Sequence, residues 1–476
     1  MTLLLLAHFM VVTAFTVRIL LRDDLSPPAR LAWFIILAVV PYVGSGLYFL
    51  FGEVDLGHHA EKRHKQVFDE IRPQAGVIFG DSGGCEALID PYYQSAFRYA
   101  SSINGFFPMA GNQAELMADE RATNAAMIAD IDRAQSHVHV LYYIWLTDGT
   151  GTEVAQALMR AASRGVTCRA MADGLGSRAL IRSPLWTQMK EAGVQVAVTL
   201  PLNRPILTLL TSRIDLRNHR KITVIDGDIT YCGSRNCADP EFLPKARFGP
   251  WVDIMLRFQG PVVAQNQLLF ISDWMQATGE AFDPGALKVE CRSPGFPAHA
   301  IGDGPTERNG ATPQLFSSLF NCAQSTITLT TPYFVPDATV LDALCAAAHR
   351  GVRVTLIFPQ KNDSWIVAAA SRSYYRRLLS SGCHIHEFKA GLLHAKTLTI
   401  DDKVTLIGSS NLDLRSFDLN YENNVLLQDA RITQAVCARQ AGYIAQSDPV
   451  LLEAVRTWPR HERIWHNVIA TIGPVL

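Results

Sequence analysis

One polar pattern occurs twice in this chain of 476 residues, with the same spacing in both copies. The pattern H-x-K-x4-D-x6-G-S-x-N begins at His219 and begins again at His394. Agreement at every fixed position is not expected by chance in a chain of this length. The sequence therefore predicts a duplicated structural unit that carries one half of a site in each copy.

The residue types in this pattern suit the chemistry of a phosphodiester. A neutral imidazole is a nucleophile and an imidazolium is an acid near neutral pH, so two facing histidines can divide a two-step displacement. The lysine two positions on points to the same side of a strand and supplies positive charge for an anionic oxygen. Serine and asparagine donate hydrogen bonds to charge that develops in the transition state. The candidate residues are His219, Lys221, Asp226, Ser234 and Asn236 in the first copy and His394, Lys396, Asp401, Ser409 and Asn411 in the second.

Each copy of the pattern also has the local character of a β-hairpin. Residues 221–225 and 396–400 are rich in β-branched and apolar side chains, and each run stops at an aspartate, Asp226 or Asp401. A second short strand then leads into the Gly-Ser turn. We group the two aspartates with the catalytic signature but expect them to pin their hairpins. The alternative is a repeated structural hairpin whose polar residues only satisfy each other.

The repeat extends beyond the hairpins. Residues 136–177 and 325–364 agree in type and order, and each reads as a strand, a helix, an Arg-Gly-Val turn and a second strand. Alternating elements of this kind predict a mixed α/β sheet in two halves related by a pseudo-two-fold axis. Such an arrangement would bring His219 and His394 together. A Leu-rich segment, residues 201–217, is either a loop over the site or a packed connector.

The N-terminal region differs in character from the rest. Residues 2–21 and 31–51 are apolar stretches, long enough at about 1.5 Å per residue to cross roughly 30 Å of hydrocarbon. We expect a transmembrane helical hairpin, with a cleavable signal peptide as the alternative for the first stretch. Lys and Arg at 62–65 outweigh Arg22 and Arg30 in the hairpin loop, which favours a cytoplasmic catalytic body.

Composition limits the partners. Nine cysteines without C-x-x-C spacing indicate free thiols and a reducing compartment. A net charge of −1 gives no support for nucleic-acid binding. Because lysine is a poor metal ligand at neutral pH, the pattern predicts neither a metal nor any other cofactor.

The motifs and their flanking words resemble the phospholipase D superfamily, whose signature is this duplicated HKD motif. Within it, the chain closely resembles bacterial cardiolipin synthases. The resemblance runs from the first apolar stretch nearly to the C-terminus and is strongest at residues 48–53, 218–221, 330–336, 391–396 and 411–416. One departure is Leu141, where many relatives carry a glutamate.

The resemblance implies a fold of two tandem phospholipase D-like halves. It divides the chain into two transmembrane helices (1–52), a connector (53–104), half 1 (105–286), half 2 (287–447) and a helical tail (448–476). The tail is expected either on the membrane surface or against a partner.

The resemblance also assigns roles. His219 is expected to attack phosphorus and His394 to act as acid and base. The two lysines, Ser234, Asn236, Ser409 and Asn411 are expected to bind the phosphoryl oxygens. Asp253 and Glu422 match the acidic residues that orient each histidine in relatives, with a surface salt bridge as the alternative. The arginines that could contact a headgroup are Arg217, Arg235 and Arg415.

The implied reaction is phosphatidyl transfer between two phosphatidylglycerol molecules, which gives cardiolipin and glycerol through a phosphatidyl-histidine. The partners are these lipids and the bilayer, the expected location is the bacterial inner membrane, and a homo-oligomer is left open. A hydrolytic phospholipase D, another phosphatidyltransferase, a nuclease and a lipid-binding scaffold with a dead site are the alternatives. Only acceptor selection separates a synthase from a phospholipase.

Overall fold

A large mixed sheet organises the catalytic part of the molecule. The computed structural model describes residues 2–22, 25, 27–52, 67, 71–73, 75–201, 215–282 and 287–471. In these residues, sixteen strands form one sheet and four short strands form two separate pairs. The strands are β1 Met109–Leu116, β2 His137–Tyr142, β3 Thr167–Asp173, β4 Gln195–Thr199, β5 Arg217–Asn218, β6 Lys221–Ile225, β7 Ile229–Gly233, β8 Trp251–Val252, β9 Met255–Gln259, β10 Phe296–Asp303, β11 Thr326–Thr330, β12 Phe334–Val335, β13 Arg353–Pro359, β14 His384–Phe388, β15 Leu392–Leu393, β16 Thr397–Ile400, β17 Val404–Gly408, β18 Leu412–Asp413, β19 Asn420–Gln428 and β20 Ser447–Val450.

Helices cover the sheet and precede it. They are α1 Thr2–Leu20, α2 Pro27–Val39, α3 Pro41–Phe51, α4 Gly76–Phe79, α5 Gln94–Asn104, α6 Glu120–Arg133, α7 Gly149–Ser163, α8 Arg178–Ile181, α9 Pro184–Glu191, α10 Pro261–Thr278, α11 Ala311–Cys322, α12 Ala338–His349, α13 Trp365–Ser380, α14 Leu414–Asp418, α15 Ala430–Ala445, α16 Leu452–Arg456 and α17 Arg460–Thr471. Glu86–Leu88 and Leu243–Phe248 are 3₁₀ segments.

The sheet is built from two equivalent halves that meet at its centre. Its first half has the strand order β1-β9-β7-β6-β2-β3-β4, and its second half has the order β10-β19-β17-β16-β11-β13-β14-β20. Strands β1 and β10 are antiparallel neighbours, with Met109 opposite Ala298. Because corresponding strands occupy corresponding places on either side of this seam, the halves are related by a pseudo-two-fold. The mixed α/β fold predicted from the internal repeat is confirmed.

The repeated strand–helix–strand units fold alike. In both, an aspartate caps the helix: Asp148 accepts the N–H of Gly151 before α7, and Asp337 accepts that of Val340 before α12. The turns that follow the helices place Gly165 and Gly351 at the same φ of 89°. That left-handed conformation favours glycine, which explains the repeated Arg-Gly-Val words.

Both hairpins turn in the same way. Strands β6 and β7 are joined through Asp226 and Gly227, and strands β16 and β17 through Asp401 and Asp402. All four turn residues have positive φ, between 52° and 69°. Two successive residues of this kind form the tight turn that matches the twist of adjacent strands. The predicted hairpins are therefore present, and their turns have the same backbone conformation.

One apolar core underlies both halves near the seam. Helix α10 is buried along most of its length, and its Leu268 and Leu269 pack in the same cluster as Val425 and Leu427 of β19. Helix α15 adds Ile432 and Val436 to this cluster in the second half. The halves are thus joined by packing as well as by the strand pair, which fixes the position of one half-site relative to the other.

The N-terminal helices depart from the predicted pair. The second apolar stretch is divided into α2 and α3 at Pro41, because proline lacks the N–H that would continue the helix and clashes with the preceding turn. Ile19, Leu37 and Tyr48 are buried where the three helices meet. Within the described residues, no helix combines the length and apolarity needed to cross a bilayer.

The segments that flank the catalytic halves are also partly different from expectation. The connector 53–104 contains α5, which packs against α11 and β10. The tail 448–476 does not start as a helix, because strand β20 pairs antiparallel with β14 before α16 and α17 begin. Most of the Leu-rich segment 201–217 lies outside the described residues.

Candidate active site

Two short strand pairs cross between the halves and carry the histidines. Strand β5 lies parallel to the start of β19, and the N–H of His219 donates to the carbonyl of Tyr421 at 2.9 Å. Strand β15 lies parallel to β8, and the N–H of His394 donates to the carbonyl of Val252 at 2.8 Å. Each histidine is therefore held by backbone hydrogen bonds to the opposite half. Gly391 is required before β15, since a Cβ there would lie 2.2 Å from the carbonyl oxygen of Pro250.

Each histidine is bonded to a carboxylate from the other half. His219 Nδ1 lies 2.9 Å from both oxygens of Glu422, and His394 Nδ1 lies 2.6 Å from Asp253 Oδ1. All four side chains are buried, with His219 the most exposed at 10%. A carboxylate at Nδ1 holds the proton there and leaves Nε2 for chemistry. The structure thus brings His219, His394, Asp253 and Glu422 into one site.

The two serines lie behind the carboxylates. Ser234 Oγ donates to Asp253 Oδ1 at 2.6 Å and accepts the N–H of Ile254 at 3.1 Å. Ser409 Oγ accepts the N–H of Asn423 at 2.9 Å, and its hydroxyl also lowers the pKa of Glu422. These contacts fix the orienting carboxylates. The structure thus shows the serine hydroxyls bonded within the protein, and their contact with a phosphate stays a prediction.

The two lysines are buried beside the histidines. Lys221 Nζ donates to the carbonyl oxygen of His219 at 2.7 Å, and Lys396 Nζ donates to that of His394 at 2.8 Å. Burial lowers the pKa of Lys221 to about 8 and that of Lys396 to about 7, although Glu422 and Asp253 oppose the shift. An ammonium has three donors, so each lysine retains donors for an anionic oxygen after this backbone bond.

The two asparagines of the motifs are buried next to the same strands. Asn236 Oδ1 accepts the N–H of Ile144 at 3.3 Å, while its Nδ2 has no partner among the described residues. Asn411 Nδ2 donates to Ser416 Oγ at 3.2 Å. A buried amide donor without a partner is costly unless something else accepts from it. Asn236 is thus well suited to a phosphoryl oxygen.

Burial dominates the ionisation of the catalytic groups. It lowers the pKa of His219 to about 4, with Glu422 opposing and Lys221 adding to the shift. It also lowers the pKa of His394, and Lys396 adds to that effect while Asp253 opposes it. Burial alone would raise the pKa of Asp253 and of Glu422, but the adjacent imidazoles and lysines outweigh it and hold both below their usual range. Both imidazoles are neutral and both carboxylates are ionised near pH 7.

Asp226 and Asp401 lie at the far ends of their hairpins. Asp226 accepts backbone N–H groups from residues 135–137, and Asp401 accepts those of residues 324–326. Tyr93 adds a hydroxyl bond to Asp401 at 2.8 Å. Neither carboxylate is brought to the histidines, and each instead fastens the loop before a central strand. This is the pinning role expected for them.

Comparison with known protein families shows to which family the chain belongs. The family described as cardiolipin synthase, PLD-like domain, matches residues 127–246 and 316–439, once in each half. The chain belongs to this family. A second family, the phospholipase D-nuclease N-terminal segment, matches residues 11–53. Within the described residues, no group of three or more His, Cys, Asp or Glu side chains is arranged to hold a metal ion.

Individual relatives extend the match over the whole chain. Cardiolipin synthase A of Citrobacter koseri is 35% identical over 100% of this chain and 98% of that protein. Cardiolipin synthase A of Klebsiella pneumoniae is 34% identical over the same shares. Among solved structures, the phosphatidylserine synthase of Haemophilus influenzae is similar in fold, with a TM-score of 0.60, 15% identity and coverage of 81% of this chain and 100% of that one.

Three arginines were predicted near the headgroup of a cardiolipin synthase substrate, and the structure separates them. Arg217 is buried, with Nη1 3.4 Å from Asp173 Oδ1, and Arg235 is buried with Nη2 3.2 Å from Thr150 Oγ1. Arg415 is half-buried and donates to a backbone carbonyl. Arg217 and Arg235 are committed to internal contacts.

Sequence reasoning missed two aromatic residues at the cardiolipin synthase site. The Tyr143 ring meets His219 edge-on with centroids 4.9 Å apart, and the Trp251 ring lies 4.6 Å from that of His394. Tyr143 directly follows β2 and Trp251 precedes Asp253 by two positions. Both belong to short sequence segments that are similar to those of relatives, but only the fold shows that their rings contact the histidines.

A third missed residue is the arginine inside the first motif. Arg220 is fully buried, donates from Nε to the carbonyl of Glu422 at 3.1 Å and pairs through Nη1 with Asp273 Oδ1 at 2.8 Å. It therefore supports the strand that presents Glu422 to His219. Leu141, the departure from relatives, lies in the core of β2 opposite Ile222 and contributes no polar group.

Proposed function

We propose that this chain transfers a phosphatidyl group from one phosphatidylglycerol to another and forms cardiolipin and glycerol. One observation carries the proposal: each histidine is paired at Nδ1 with a buried carboxylate from the opposite half. Pairing at Nδ1 leaves the Nε2 atom of each imidazole for chemistry, as a double displacement at phosphorus requires. The family to which the chain belongs supplies the lipid substrates.

In the first step, His219 Nε2 attacks the phosphorus of the donor lipid. A P–N bond forms, the P–O bond to the headgroup glycerol breaks, and His394 gives its proton to the departing oxygen. The choice of His219 as nucleophile follows the resemblance to relatives. Its pKa, lowered to about 4 by burial, keeps its imidazole neutral and supports that role.

In the second step, a free glycerol hydroxyl of the acceptor phosphatidylglycerol enters. It loses its proton to His394, its oxygen attacks phosphorus, and the P–N bond to His219 breaks. One phosphodiester is made for each one consumed, so no nucleotide is needed to drive the reaction. Glycerol and cardiolipin leave, and His394 again carries the proton needed for the next first step.

The charge around the site supports this division of labour. Burial and Lys396 lower the pKa of His394, but an anionic phosphodiester beside it raises that pKa again, so substrate binding favours the acid form. Lys221, Lys396 and Asn236 would donate to the phosphoryl oxygens, where negative charge builds up. Asp253 and Glu422 would stabilise the imidazolium of their own histidine.

Water must be kept from the phosphatidyl-histidine, because hydrolysis would turn the transferase into a phospholipase. The two histidines are buried, and Tyr143 and Trp251 cover part of each ring. Aromatic walls of this kind exclude water without removing the donors that bind phosphate. We therefore place acceptor selection at this part of the site.

The remaining parts of the proposal concern the membrane and the domain division. We propose that residues 1–52 anchor the chain in the bacterial inner membrane as two transmembrane helices, with the catalytic body on the cytoplasmic side. Large exposed apolar side chains on α1 and α2, such as Phe9 and Leu31, support an apolar environment. The matching strand orders support halves at 105–286 and 287–447.

The test uses purified full-length protein in liposomes with radiolabelled phosphatidylglycerol and resolves all products. Cardiolipin together with free glycerol, both lost in His219→Ala, is the expected result. Asp132→Ala, a surface change, serves as the matched control and should retain full activity. Phosphatidic acid and glycerol without cardiolipin would mean that water is the acceptor and that the chain is a phospholipase.

A further inference from the structure

Five large apolar side chains form an exposed surface on the catalytic body. They are between 47% and 74% exposed and come from three separate parts of the chain, and we call them the apolar rim: Leu243, Trp365, Ile464, Trp465 and Val468. Side chains of this size are rarely left in water together without a partner. The mechanism above uses none of them.

Contacts bring the three parts together. The Trp365 and Trp465 rings are stacked, with centroids 5.8 Å apart and planes 11° from parallel. Lys245 Nζ lies 2.6 Å from Asp363 Oδ2, which ties the 3₁₀ segment of Leu243 to the loop that leads into Trp365. The rim is therefore one surface that spans both halves.

Helix α17 has two different faces. Ile469 is buried against α13, where it packs with Ala369 and Ala370. Ile464, Trp465 and Val468 lie on the outer face and remain exposed. A soluble surface helix would carry polar residues on that face. The tail thus packs on the catalytic body with one face of α17 and exposes an apolar surface on the other face.

Ring contacts connect the rim to the catalytic site. Phe242, next to Leu243, packs on Trp251 with centroids 4.0 Å apart, and Trp251 packs on His394. On the other side, Asp363 accepts the hydroxyl of Tyr333 at 2.7 Å. Its neighbour two positions on is Trp365. The rim segment at Leu243 is therefore connected to His394 through Phe242 and Trp251.

The charge around the rim fits an anionic surface. Within four positions of the rim residues, the exposed basic side chains are Lys245, which pairs with Asp363, and Arg247, Lys361, Arg460 and Arg463, against two exposed acidic ones, Glu241 and Glu462. Tryptophan with flanking arginine and lysine is the composition found where proteins meet lipid headgroups. A second copy of this chain would present the same excess of positive charge and repel it.

We propose that the apolar rim inserts into an anionic phospholipid surface and presses the site entrance against the headgroups. The proposal rests on the proposed function in one respect, because it takes the substrates to be lipids that stay in the bilayer. The lipid phosphates would then reach His219 and His394 without leaving the membrane plane. The N-terminal hairpin would tether the chain, while the rim would orient the catalytic body.

The first experiment measures rate with two physical forms of one substrate. Full-length Trp365→Ser/Trp465→Ser is compared with wild type on phosphatidylglycerol bilayers and on short-chain phosphatidylglycerol dispersed as monomers. We expect a loss of roughly tenfold on bilayers and less than about twofold on monomers. Leu88→Ser/Tyr92→Ser removes equally exposed apolar side chains elsewhere and should change neither rate.

The two proposals fail in different ways in this assay. If wild type forms no cardiolipin in either form, the proposed function is wrong. If wild type is active and the double variant is equally active on bilayers, the rim does not dock. An equal loss on bilayers and monomers would also overturn the docking proposal, because it would reveal damage to the site.

A second experiment measures membrane insertion of the apolar rim independently of catalytic activity. Full-length wild type and Trp365→Phe/Trp465→Phe are reconstituted in phosphatidylglycerol liposomes that contain brominated acyl chains, which quench nearby tryptophans. The quenched fraction should be larger in wild type, since the other tryptophans are common to both. An unchanged fraction overturns the proposal. So does a shift from dimer to monomer in the variant without any change in quenching, which would assign the rim to self-association.

Discussion

The two half-sites use the same motif in different surroundings. His219 is bonded at equal distance to both oxygens of a fully enclosed glutamate, whereas His394 is bonded to one oxygen of an aspartate that also accepts from Ser234. Tyrosine lies beside the first imidazole and tryptophan beside the second. A duplication by itself supplies two equal reagents, but a double displacement needs a nucleophile and a proton carrier. The difference in surroundings is what permits them to act differently.

The largest expected effect on the transfer rate comes from replacing either of the two histidines. We expect His219→Ala and His394→Ala each to lose roughly a thousandfold or more in transfer, because neither half can do both steps. A donor with a p-nitrophenyl leaving group needs no acid, so it should still label His394→Ala. Mass spectrometry should then find the phosphatidyl group on the peptide that contains His219. If the phosphatidyl group were instead found on His394 in His219→Ala, His394 would be the nucleophile.

The next largest effect should come from the two carboxylates, each of which bonds to the histidine of the opposite half. Glu422→Gln and Asp253→Asn should each lower kcat by roughly 10²- to 10⁴-fold, because an amide no longer holds the productive tautomer. With the p-nitrophenyl donor, Glu422→Gln should slow the initial burst, since Glu422 bonds to His219. Asp253→Asn should spare the burst and slow turnover. The opposite pattern would mean that each carboxylate serves the histidine of its own half.

A smaller effect concerns pH. His219 has to be neutral, and burial lowers its pKa to about 4, so kcat/KM should fall only as the pH drops towards that value. Lys396 has to be charged and His394 has to carry a proton in the first step, and burial lowers the pKa of both groups, that of Lys396 to about 7, so kcat/KM should fall as the pH rises through this range. Lys396→Arg should move the alkaline limb upward, because a guanidinium stays charged to about pH 12. An unmoved limb in a still active variant would exclude Lys396 as its source.

The smallest effect on rate should come from the motif aspartates, where the halves are alike. Asp226→Ala and Asp401→Ala each leave several backbone N–H groups without an acceptor, and we expect a loss of about 1–3 kcal/mol in unfolding free energy. Per-molecule kcat should change less than about twofold. Thermal unfolding monitored by circular dichroism gives the first quantity, with Asp132→Ala as the control. A large loss of kcat in a fully folded variant would place these carboxylates in the chemistry.

Much of the fold followed from local patterns. The hairpins of residues 221–233 and 397–408 could be predicted because β-branched runs and turn residues act over a few positions. The strand–helix–strand repeat could be predicted for the same reason. Local patterns failed at Pro41, where one apolar stretch became two helices, and at β20, where a predicted helical tail begins as a strand. In the second case, the open edge of β14 determined the conformation.

The sequence by itself determined the catalytic residue types, which are two histidines, two lysines and two candidate carboxylates. They belong to a duplicated motif whose flanking segments resemble the family. Only the tertiary structure decided their pairing. Asp253 follows the first motif in the chain yet serves His394, and Glu422 follows the second motif yet serves His219. The reason is physical: the short strands β5 and β15 pair across the seam, and backbone pairing between distant segments leaves no trace in local spacing. Strand pairing within each half, β7 with β9 and β17 with β19, placed Ser234 beside Asp253 and Ser409 beside Glu422.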